Sequence, residues 1–176
     1  LAVRGSTVVL ACRSSERGEA AIERIHTVHP AAKLRLVKLD LASLDSVRKC
    51  AEELSALLDC VDLLINNAGV MMPPFSQTKD GFELQFGVNF LGHYALTGRL
   101  MPLLESAPAA RVVSLSSLAH RTGKIDISSF RSPQKYWSWR AYEQSKLACL
   151  MFAFELDRVL HNQNASTISL AAHPGG

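Results

Sequence analysis

The sequence has few of the features that mark metal-binding, nucleic-acid-binding or membrane-spanning proteins. Its 4 cysteines are scattered without the close spacing of a metal site, which argues against zinc and is typical of a reducing intracellular compartment. The formal net charge of +3 is small and not concentrated in one patch, so it gives no argument for nucleic-acid binding. The sequence contains no signal peptide and no apolar run long enough to span a bilayer.

The remaining composition suits one globular domain covering residues 1–176, because 48% of the residues are apolar and no repeat or linker interrupts them. Strand patterns alternate with helical patterns throughout, which predicts an α/β fold: a doubly wound parallel sheet with helices on both faces. The predicted strands cover residues 7–12, 34–39, 61–66, 111–116 and 166–172. The predicted helices cover residues 15–28, 43–58, 79–105 and 140–161.

Tyr142 and Lys146 lie four residues apart in the last predicted helix. Positions i and i+4 of a helix share one face, about 5–6 Å apart at Cβ. A neighbouring ammonium favours the ionised form of a phenol, so a tyrosine in this arrangement can exchange a proton with an alcohol or carbonyl near neutral pH. Both residue types are common on helices, so the pair alone is weak evidence of catalysis. Three segments upstream of this pair strengthen the evidence for a catalytic site.

The first of these segments follows the predicted strand at residues 61–66. The apolar run ends in Asn66, Asn67, Ala68 and Gly69. Small residues and a glycine let the backbone approach a ligand closely, and ligands of parallel α/β sheets lie beyond such strand ends. The alternative is an ordinary turn between a strand and a helix.

The other two segments offer polar groups in apolar surroundings. Ser116 and Ser117 end the fourth predicted strand, where their hydroxyls can bind a carbonyl oxygen or satisfy free backbone groups. Asn89 lies in a mostly apolar stretch, residues 82–104, that predicts a buried helix. A buried asparagine needs hydrogen-bond partners, which makes Asn89 a candidate site residue, with close packing as the alternative explanation for the segment.

Together these segments resemble the short-chain dehydrogenase/reductase family over essentially the whole chain. The resemblance is carried by Asn-Asn-Ala-Gly, Asn89, the serine pair and the Tyr142–Lys146 pair, in that order. The runs Val-Asn-Phe-Leu-Gly-His and Arg-Ala-Tyr-Glu-Gln-Ser-Lys-Leu-Ala are most similar to its retinol-dehydrogenase-like branch. The resemblance implies an oxidoreductase that transfers hydride between a nicotinamide cofactor and a lipophilic alcohol or carbonyl, with the cofactor carrying the difficult chemistry.

The resemblance also implies a role for each matching residue. Tyr142 would be the general acid/base, Lys146 would bind the nicotinamide ribose, and Asn89 would anchor a water that relays protons to the lysine. Ser117 would hold the substrate oxygen, because this branch places that serine 25 positions before the tyrosine; Ser116 is the alternative. The implied cofactor contacts are Asn66, Ala68 and Gly69 on the adenosine side, Asp40 and Leu41 near the adenine, and Pro174 and Gly175 beside the nicotinamide, together with Tyr142 and Lys146.

The end of the first predicted strand favours NADP(H) over NAD(H). Enzymes that prefer NAD usually place an acidic residue here to hold the ribose 2′-hydroxyl. This chain has Arg13 in that region, with Ser14 beside it and Arg17 one turn further on. A guanidinium binds a phosphate bidentately, whereas a carboxylate would repel it. The alternatives are that Arg13 is a solvated charge and that Asp40 is a plain helix-capping residue.

The chain departs from the family pattern at both ends. Family members begin with a strand and a Thr-Gly-x-x-x-Gly-x-Gly turn that holds the pyrophosphate at a helix N-terminus. Residues 1–5 instead resemble the tail of the helix after that turn, and the sequence stops before the usual final strand. We therefore expect a Rossmann-like fold incomplete at both ends. A catalytically inactive binding or regulatory fragment is the alternative function.

Partners and location follow from the same resemblance. The helices that contain Asn89 and Tyr142 often pack across a subunit interface in this family, so we expect a homodimer. The branch includes membrane-attached members, and a segment upstream could supply an anchor, so membrane association is not excluded. The cytoplasm is the first expectation for location. The segment 118–139 carries several aromatic residues that could line an apolar substrate pocket or serve packing.

Overall fold

The computed structural model describes residues 1–131, 133 and 135–175 of the chain, and its elements alternate between strands and helices. The strands are β1 (Val8–Cys12), β2 (Leu34–Lys38), β3 (Leu63–Asn66), β4 (Arg111–Leu115) and β5 (Ile168–Ala172). The α-helices are α1 (Ser15–Val28), α2 (Leu44–Leu57), α3 (Leu84–Phe86), α4 (Gly92–Glu105) and α5 (Ser138–Asn162). A π-helical turn, Gly87–Leu91, joins α3 to α4. Short 3-10 turns lie at Ala2–Arg4, Leu118–Arg121 and Ile127–Ser129.

Every predicted strand and helix is present, and one boundary differs by several residues. The helix predicted from residue 79 begins only at Leu84, because the preceding segment forms a tight turn closed by an antiparallel bridge between Gln77 and Glu83. Glu83 then caps the helix: its carboxylate accepts hydrogen bonds from the main-chain N–H groups of Gln85 and Phe86. A carboxylate at a helix N-terminus satisfies free N–H groups and complements the helix dipole.

All strand pairs are parallel, and they form two sheets. β1 pairs with β2, while β3, β4 and β5 form a second sheet in that order. In the part of the chain that the structure describes, no strand pairs with both β1 and β3. The predicted parallel α/β architecture is confirmed, but its strands do not form one continuous sheet.

Helices cover both faces of the β1–β2 sheet. Gly18 of α1 packs directly against the side chain of Leu36. The next residue, Val37, is buried in the core together with Val47 of α2. Because successive side chains of a strand point to opposite faces, α1 and α2 lie on opposite sides of this sheet. This is the doubly wound arrangement that the sequence predicts.

The main hydrophobic core lies between α2, α4 and the strands. Leu96, Leu100 and Leu104 recur along α4 at the spacing of one helix face and are all buried. Val112 of β4 and Val37 of β2 belong to the same core, so both sheets contribute to it. Shared packing, rather than hydrogen bonding between strands, therefore holds the two sheets to one another.

The opposite face of the three-stranded sheet is exposed. Leu63 and Ile65 of β3 and Ile168 and Leu170 of β5 are large apolar side chains in contact with solvent. The strand register places them on one face, while the intervening positions point toward α4 and α5. An exposed apolar face of this kind favours association with other apolar surface.

Within residues 1–131, 133 and 135–175, no helix combines the length and apolarity needed to cross a bilayer. The same residues hold no cluster of three or more side chains suited to a metal ion. The cysteines are free thiols, and burial raises the pKa of Cys50 and of Cys149 to about 11. These two thiols are therefore protonated and unreactive near neutral pH.

Candidate active site

The turn after β3, the end of β4 and the first half of α5 meet around Lys146. This lysine is only 7% exposed. Its Nζ donates a hydrogen bond to the carbonyl oxygen of Leu115, the last residue of β4, at 3.0 Å. A Cβ added at Gly69 would lie 3.7 Å from the same Nζ and 3.0 Å from Oδ1 of Asn89. The glycine therefore lets the turn after β3 come close to the lysine.

The charge of Lys146 has no acidic partner among the described residues. A buried charge without such a partner is costly, so it indicates a site rather than a structural ion pair. An ammonium has three hydrogen-bond donors, and the carbonyl of Leu115 uses one of them. The position of this charge, at the carboxyl end of parallel strands, is where ligands of α/β sheets bind.

Tyr142 lies one helical turn before Lys146, and Nζ of the lysine is 5.8 Å from the centroid of its ring. The tyrosine is partly exposed, and the ring of Trp139 packs against it with 5.9 Å between centroids. The predicted proximity of the phenol and the ammonium is thus present in the structure. Trp139 adds an apolar wall beside the tyrosine.

The two serines at the end of β4 have different surroundings. The hydroxyl of Ser116 is buried and donates to the main-chain carbonyl of Lys146 at 2.8 Å. Ser117 is partly exposed, and its Oγ accepts a hydrogen bond of 3.3 Å from the N–H of Ala119, the second residue of the 3-10 turn Leu118–Arg121. A hydroxyl that accepts a hydrogen bond can still donate its own hydrogen to another partner. The hydroxyl of Ser116 is thus committed to α5, whereas Ser117 can still donate to a ligand, and its role in holding a substrate oxygen stays a prediction.

The side chain of Asn89 connects two of the segments at the site. Asn89 is 1% exposed and lies in the π-helical turn between α3 and α4. Its Oδ1 accepts from the N–H of Val70 at 2.8 Å, and its Nδ2 donates to the carbonyl of Val70 at 3.0 Å and to Ser145 Oγ at 2.9 Å. This asparagine therefore joins the turn after β3 to α5.

The main-chain carbonyl of Asn89 is also engaged. It accepts hydrogen bonds from Nδ1 of His93 at 3.0 Å and from Sγ of Cys149 at 3.1 Å. Because a carbonyl oxygen only accepts, Nδ1 of His93 carries the hydrogen. Burial lowers the pKa of His93, so its imidazole is neutral near pH 7. A water held by Asn89 would have to replace one of these protein contacts, and that role stays a prediction.

The residues predicted near the adenosine half lie after β1 and β2. Arg13 is exposed and directly precedes Ser14, whose hydroxyl caps α1. Asp40 is half-buried, and its Oδ1 accepts from the N–H of Ala42 at 3.0 Å, which gives this carboxylate a structural role in the turn. The side chain of Leu41 is buried in the core, so only its backbone is open to a ligand.

The remaining predicted cofactor residues follow β3 and β5. Asn66 is buried, and its Nδ2 donates to Oγ1 of Thr97 on α4 at 3.0 Å, whereas Ala68 and Gly69 are exposed. Pro174 and Gly175 are exposed beyond the end of β5, and Gly175 has a φ of 96°. The structure thus places all these residues at the carboxyl ends of strands, the edge of the sheets that carries Lys146.

Sequence reasoning missed a polar cluster beside this site, formed by the buried side chains of Glu83 and Gln85 and the partly buried Tyr136. The hydroxyl of Tyr136 lies 3.2 Å from the carbonyl of Pro73 and 3.3 Å from Oε1 of Glu83. Burial raises the pKa of Tyr136, so its hydroxyl stays protonated and can donate. Tyr136 therefore links the aromatic segment before α5 to Pro73 and Glu83. The sequence feature that could have revealed this cluster is the presence of two polar residues, Glu83 and Gln85, at the start of a mostly apolar helix.

The chain matches known proteins over nearly its whole length. The family model described as short chain dehydrogenase matches residues 1–175. Mouse retinol dehydrogenase 12 is 45% identical over 175 residues, which are 99% of this chain and 55% of that protein. Mouse polyprenol dehydrogenase is 40% identical over 179 residues, 99% of this chain and 53% of that protein.

A solved structure is similar as well. The crystal structure of an uncharacterized protein from Mycobacterium paratuberculosis is 44% identical and has a TM-score of 0.88, covering 99% of this chain and 61% of that one. The chain therefore has the fold of that protein over the same region. It spans about half the length of the curated relatives it matches.

Proposed function

The chain belongs to the short-chain dehydrogenase family, and we propose that the whole protein is an NADP(H)-dependent oxidoreductase acting on an alcohol/carbonyl pair. The observation that carries the proposal is the position of Lys146. Its buried ammonium has no acidic partner among the described residues and lies 5.8 Å from the ring of Tyr142. This pair lies at the carboxyl ends of β3 and β4, beside the glycine of the turn after β3.

The residues at this edge fit a nicotinamide dinucleotide. Gly69 leaves the turn after β3 open to a ligand, because a side chain there would fill the space next to Asn89 and Lys146. The two donors of Lys146 not used by Leu115 suit ribose hydroxyls. Ala68 and Gly69 would line the adenosine side, while Pro174 and Gly175 would lie beside the nicotinamide. When bound, this cofactor supplies or accepts the hydride.

The chain's own residues would move and hold the proton. The hydroxyl of Tyr142 would donate its proton to a carbonyl oxygen in the reductive direction and accept one from an alcohol in the oxidative direction. The positive charge of Lys146 stabilises the phenolate that reduction leaves behind. The hydroxyl of Ser117 would donate a hydrogen bond to the same substrate oxygen and so hold it within reach of Tyr142.

The preference for NADP(H) is supported by Arg13. The guanidinium is exposed directly after β1, and no described acidic side chain forms an ion pair with it. It is therefore free to bind a 2′-phosphate, and its charge would favour the phosphorylated cofactor.

A lipophilic substrate is supported by the apolar side chains around the site. Met71, Met72 and Phe75 are exposed just after the cofactor turn, and Trp139 lies beside Tyr142. The similar proteins are named for retinol and polyprenol, both long apolar alcohols. A substrate with an apolar body and one polar end fits both observations.

A homodimer through α4 and α5 is supported by an exposed apolar patch. Tyr94 of α4 and Met151 and Phe154 of α5 are exposed, and the rings of Tyr94 and Phe152 lie 5.5 Å apart across the two helices. Burial of this patch against a second copy would remove apolar surface from water. The mass of the whole protein in solution, measured by light scattering, tests this arrangement.

The decisive experiment on the function is the substitution Tyr142→Phe in the whole protein. The ring remains while the exchangeable proton is lost, so kcat should fall by about 10²-fold or more. Binding of NADPH, followed by its fluorescence, should change little because the ring and Lys146 remain. Turnover of retinol or a short-chain analogue at the wild-type rate would contradict the proposed mechanism.

A further inference from the structure

Gln85 connects three segments that surround the candidate site. It is completely buried at the start of the helix that follows the turn after β3. Its Oε1 accepts a hydrogen bond from the N–H of Met72 at 2.9 Å. Its Nε2 donates to the carbonyl of Ser138 at 2.8 Å and to the hydroxyl of Tyr136 at 2.9 Å. The amide oxygen and both amide hydrogens are therefore engaged.

The contact with Ser138 falls on the first residue of the helix that carries Tyr142. Ser138 begins α5, and Tyr142 follows four residues later. In an α-helix the N–H of residue i+4 bonds to the carbonyl of residue i, so Gln85 and the backbone of Tyr142 share one acceptor. The N-cap residue Trp137 makes no side-chain capping bond. The first turn of α5 is thus held from outside the helix.

The contact with Met72 falls on the segment that begins at the cofactor turn. Met72 is three residues beyond Gly69, the glycine next to Lys146. A single amide therefore links the turn that would bind the cofactor to the turn that presents the tyrosine. The link is short and buried, with donor–acceptor distances of 2.9 Å and 2.8 Å.

Glu83 and Tyr136 hold the amide of Gln85 in place. The carboxylate of Glu83 accepts from the N–H of Gln85 at 2.9 Å, which fixes the backbone that carries the amide. The hydroxyl of Tyr136 accepts from Gln85 and donates its single hydrogen toward the carbonyl of Pro73 at 3.2 Å, with Oε1 of Glu83 at 3.3 Å as the alternative acceptor. The surrounding groups allow the amide only one orientation, with its nitrogen toward α5.

We propose that Gln85 is a positioning residue for Tyr142. It fixes the first turn of α5 against the segment after the cofactor turn, and so sets where the tyrosine hydroxyl meets a bound substrate. The proposal rests on the proposed oxidoreductase function. A misplacement of about 1 Å at a reacting group can cost about 10²-fold in rate, so loss of this link should appear in turnover.

The test is Gln85→Met in the whole protein, with Gln144→Met as the matched control. Gln144 is also a buried glutamine, two residues beyond Tyr142 on α5. Its side chain accepts from the N–H of Asp126 at 2.6 Å and donates to Ser129 Oγ at 2.9 Å, so its amide bonds to neither Met72 nor Ser138. Both substitutions keep the side-chain length and remove the amide, so they should lower the melting temperature by comparable amounts.

Only Gln85→Met should change the chemistry. We expect its kcat to fall by about 10- to 100-fold and the pH dependence of kcat to shift, because the tyrosine moves relative to the substrate and to Lys146. The dissociation constant for NADPH should change by less than about threefold, since the side chain of Gln85 bonds to Met72, Tyr136 and Ser138, and none of these is an expected cofactor contact. Gln144→Met should keep kcat and its pH dependence near those of the wild type.

Two outcomes separate this proposal from the function on which it rests. If Tyr142→Phe is inactive while a folded Gln85→Met variant has wild-type kcat and pH dependence, the positioning role is wrong and the function stands. If Tyr142→Phe is active, the proposed function fails and the role of Gln85 fails with it. Should Gln85→Met not fold, Gln85→Asn decides by the same readouts, because its shorter side chain keeps the amide but cannot span both partners.

Discussion

The hydroxyl of Ser116 donates to the main-chain carbonyl of Lys146 at 2.8 Å, while the ammonium of Lys146 donates to the carbonyl of Leu115 at 3.0 Å. The two bonds run in opposite directions between β4 and α5. Together they join the end of β4 to Lys146 of α5. The position of the lysine charge is therefore set by the same contacts that occupy the first of the two serines.

This arrangement predicts different effects for the two serines. Ser117→Ala should lower kcat/KM of the whole protein by about 10²- to 10³-fold, because it removes a donor to the substrate oxygen. Its stability should stay close to the wild type. Ser116→Ala should instead cost about 1 kcal/mol of unfolding free energy, the loss of one buried hydrogen bond. Steady-state kinetics and urea unfolding of both variants measure the two effects.

The opposite pattern would reassign the substrate contact. A large loss of kcat/KM in Ser116→Ala, with Ser117→Ala unaffected, would make Ser116 the residue that holds the substrate oxygen. The hydroxyl of Ser116 would then have to leave the carbonyl of Lys146 when the substrate binds.

Arg13→Glu should reverse the preference for the phosphorylated cofactor. The substitution removes a charge-assisted hydrogen bond to the phosphate worth about 1.5–3 kcal/mol, and the new carboxylate would repel the phosphate. We expect KM for NADPH to rise by about 10-fold or more, while KM for NADH stays the same or falls. Arg24→Glu, an equal charge change at an exposed position further along α1, is the control and should affect neither. Equal changes for both cofactors in Arg13→Glu would contradict recognition of the phosphate.

The buried imidazole of His93 should make stability depend on pH. Burial lowers its folded-state pKa below the ordinary value of 6.5, so the unfolded chain binds a proton that the folded chain does not. Its contribution to stability is therefore fully present above about pH 6.5 and is lost as the pH falls below that value. Each unit of difference between the two pKa values corresponds to about 1.4 kcal/mol.

The variant His93→Gln isolates this effect, because glutamine can still donate to Asn89 but does not titrate. Urea unfolding of the whole protein at pH 8 and pH 5.5 measures it. The loss of unfolding free energy between these pH values should be smaller in His93→Gln than in the wild type. Equal losses in the two proteins would show that His93 is not responsible.

Local patterns in the sequence predict much of this architecture. The strand–helix alternation and the Tyr142–Lys146 pair depend on spacing along a few residues, and both are present. The cluster of Gln85 with Tyr136 and Ser138 depends on contacts between residues 51 and 53 positions apart, which no local pattern contains. The division of the strands into two sheets is likewise a matter of long-range pairing.

The surroundings of the side chains at the strand ends could not be predicted from the sequence either. Leu41 follows β2 in the segment where we expect the adenine of the cofactor, but its side chain is buried in the core. Asn66 belongs to the cofactor turn, yet its amide bonds to Thr97 on α4. In both cases the sequence identifies the segment, and the direction of one side chain within it depends on packing against another element.

The π-helical turn Gly87–Leu91 sets the direction in which the residues before it face. A π-helical turn contains one residue more than an α-helical turn, and such turns are frequent at functional sites. If the same five residues formed regular α-helix instead, everything before them would rotate by about 100° relative to α4. Glu83 and Gln85 would then face away from the start of α5. The wider turn therefore sets the rotation at which Glu83 and Gln85 meet the start of α5.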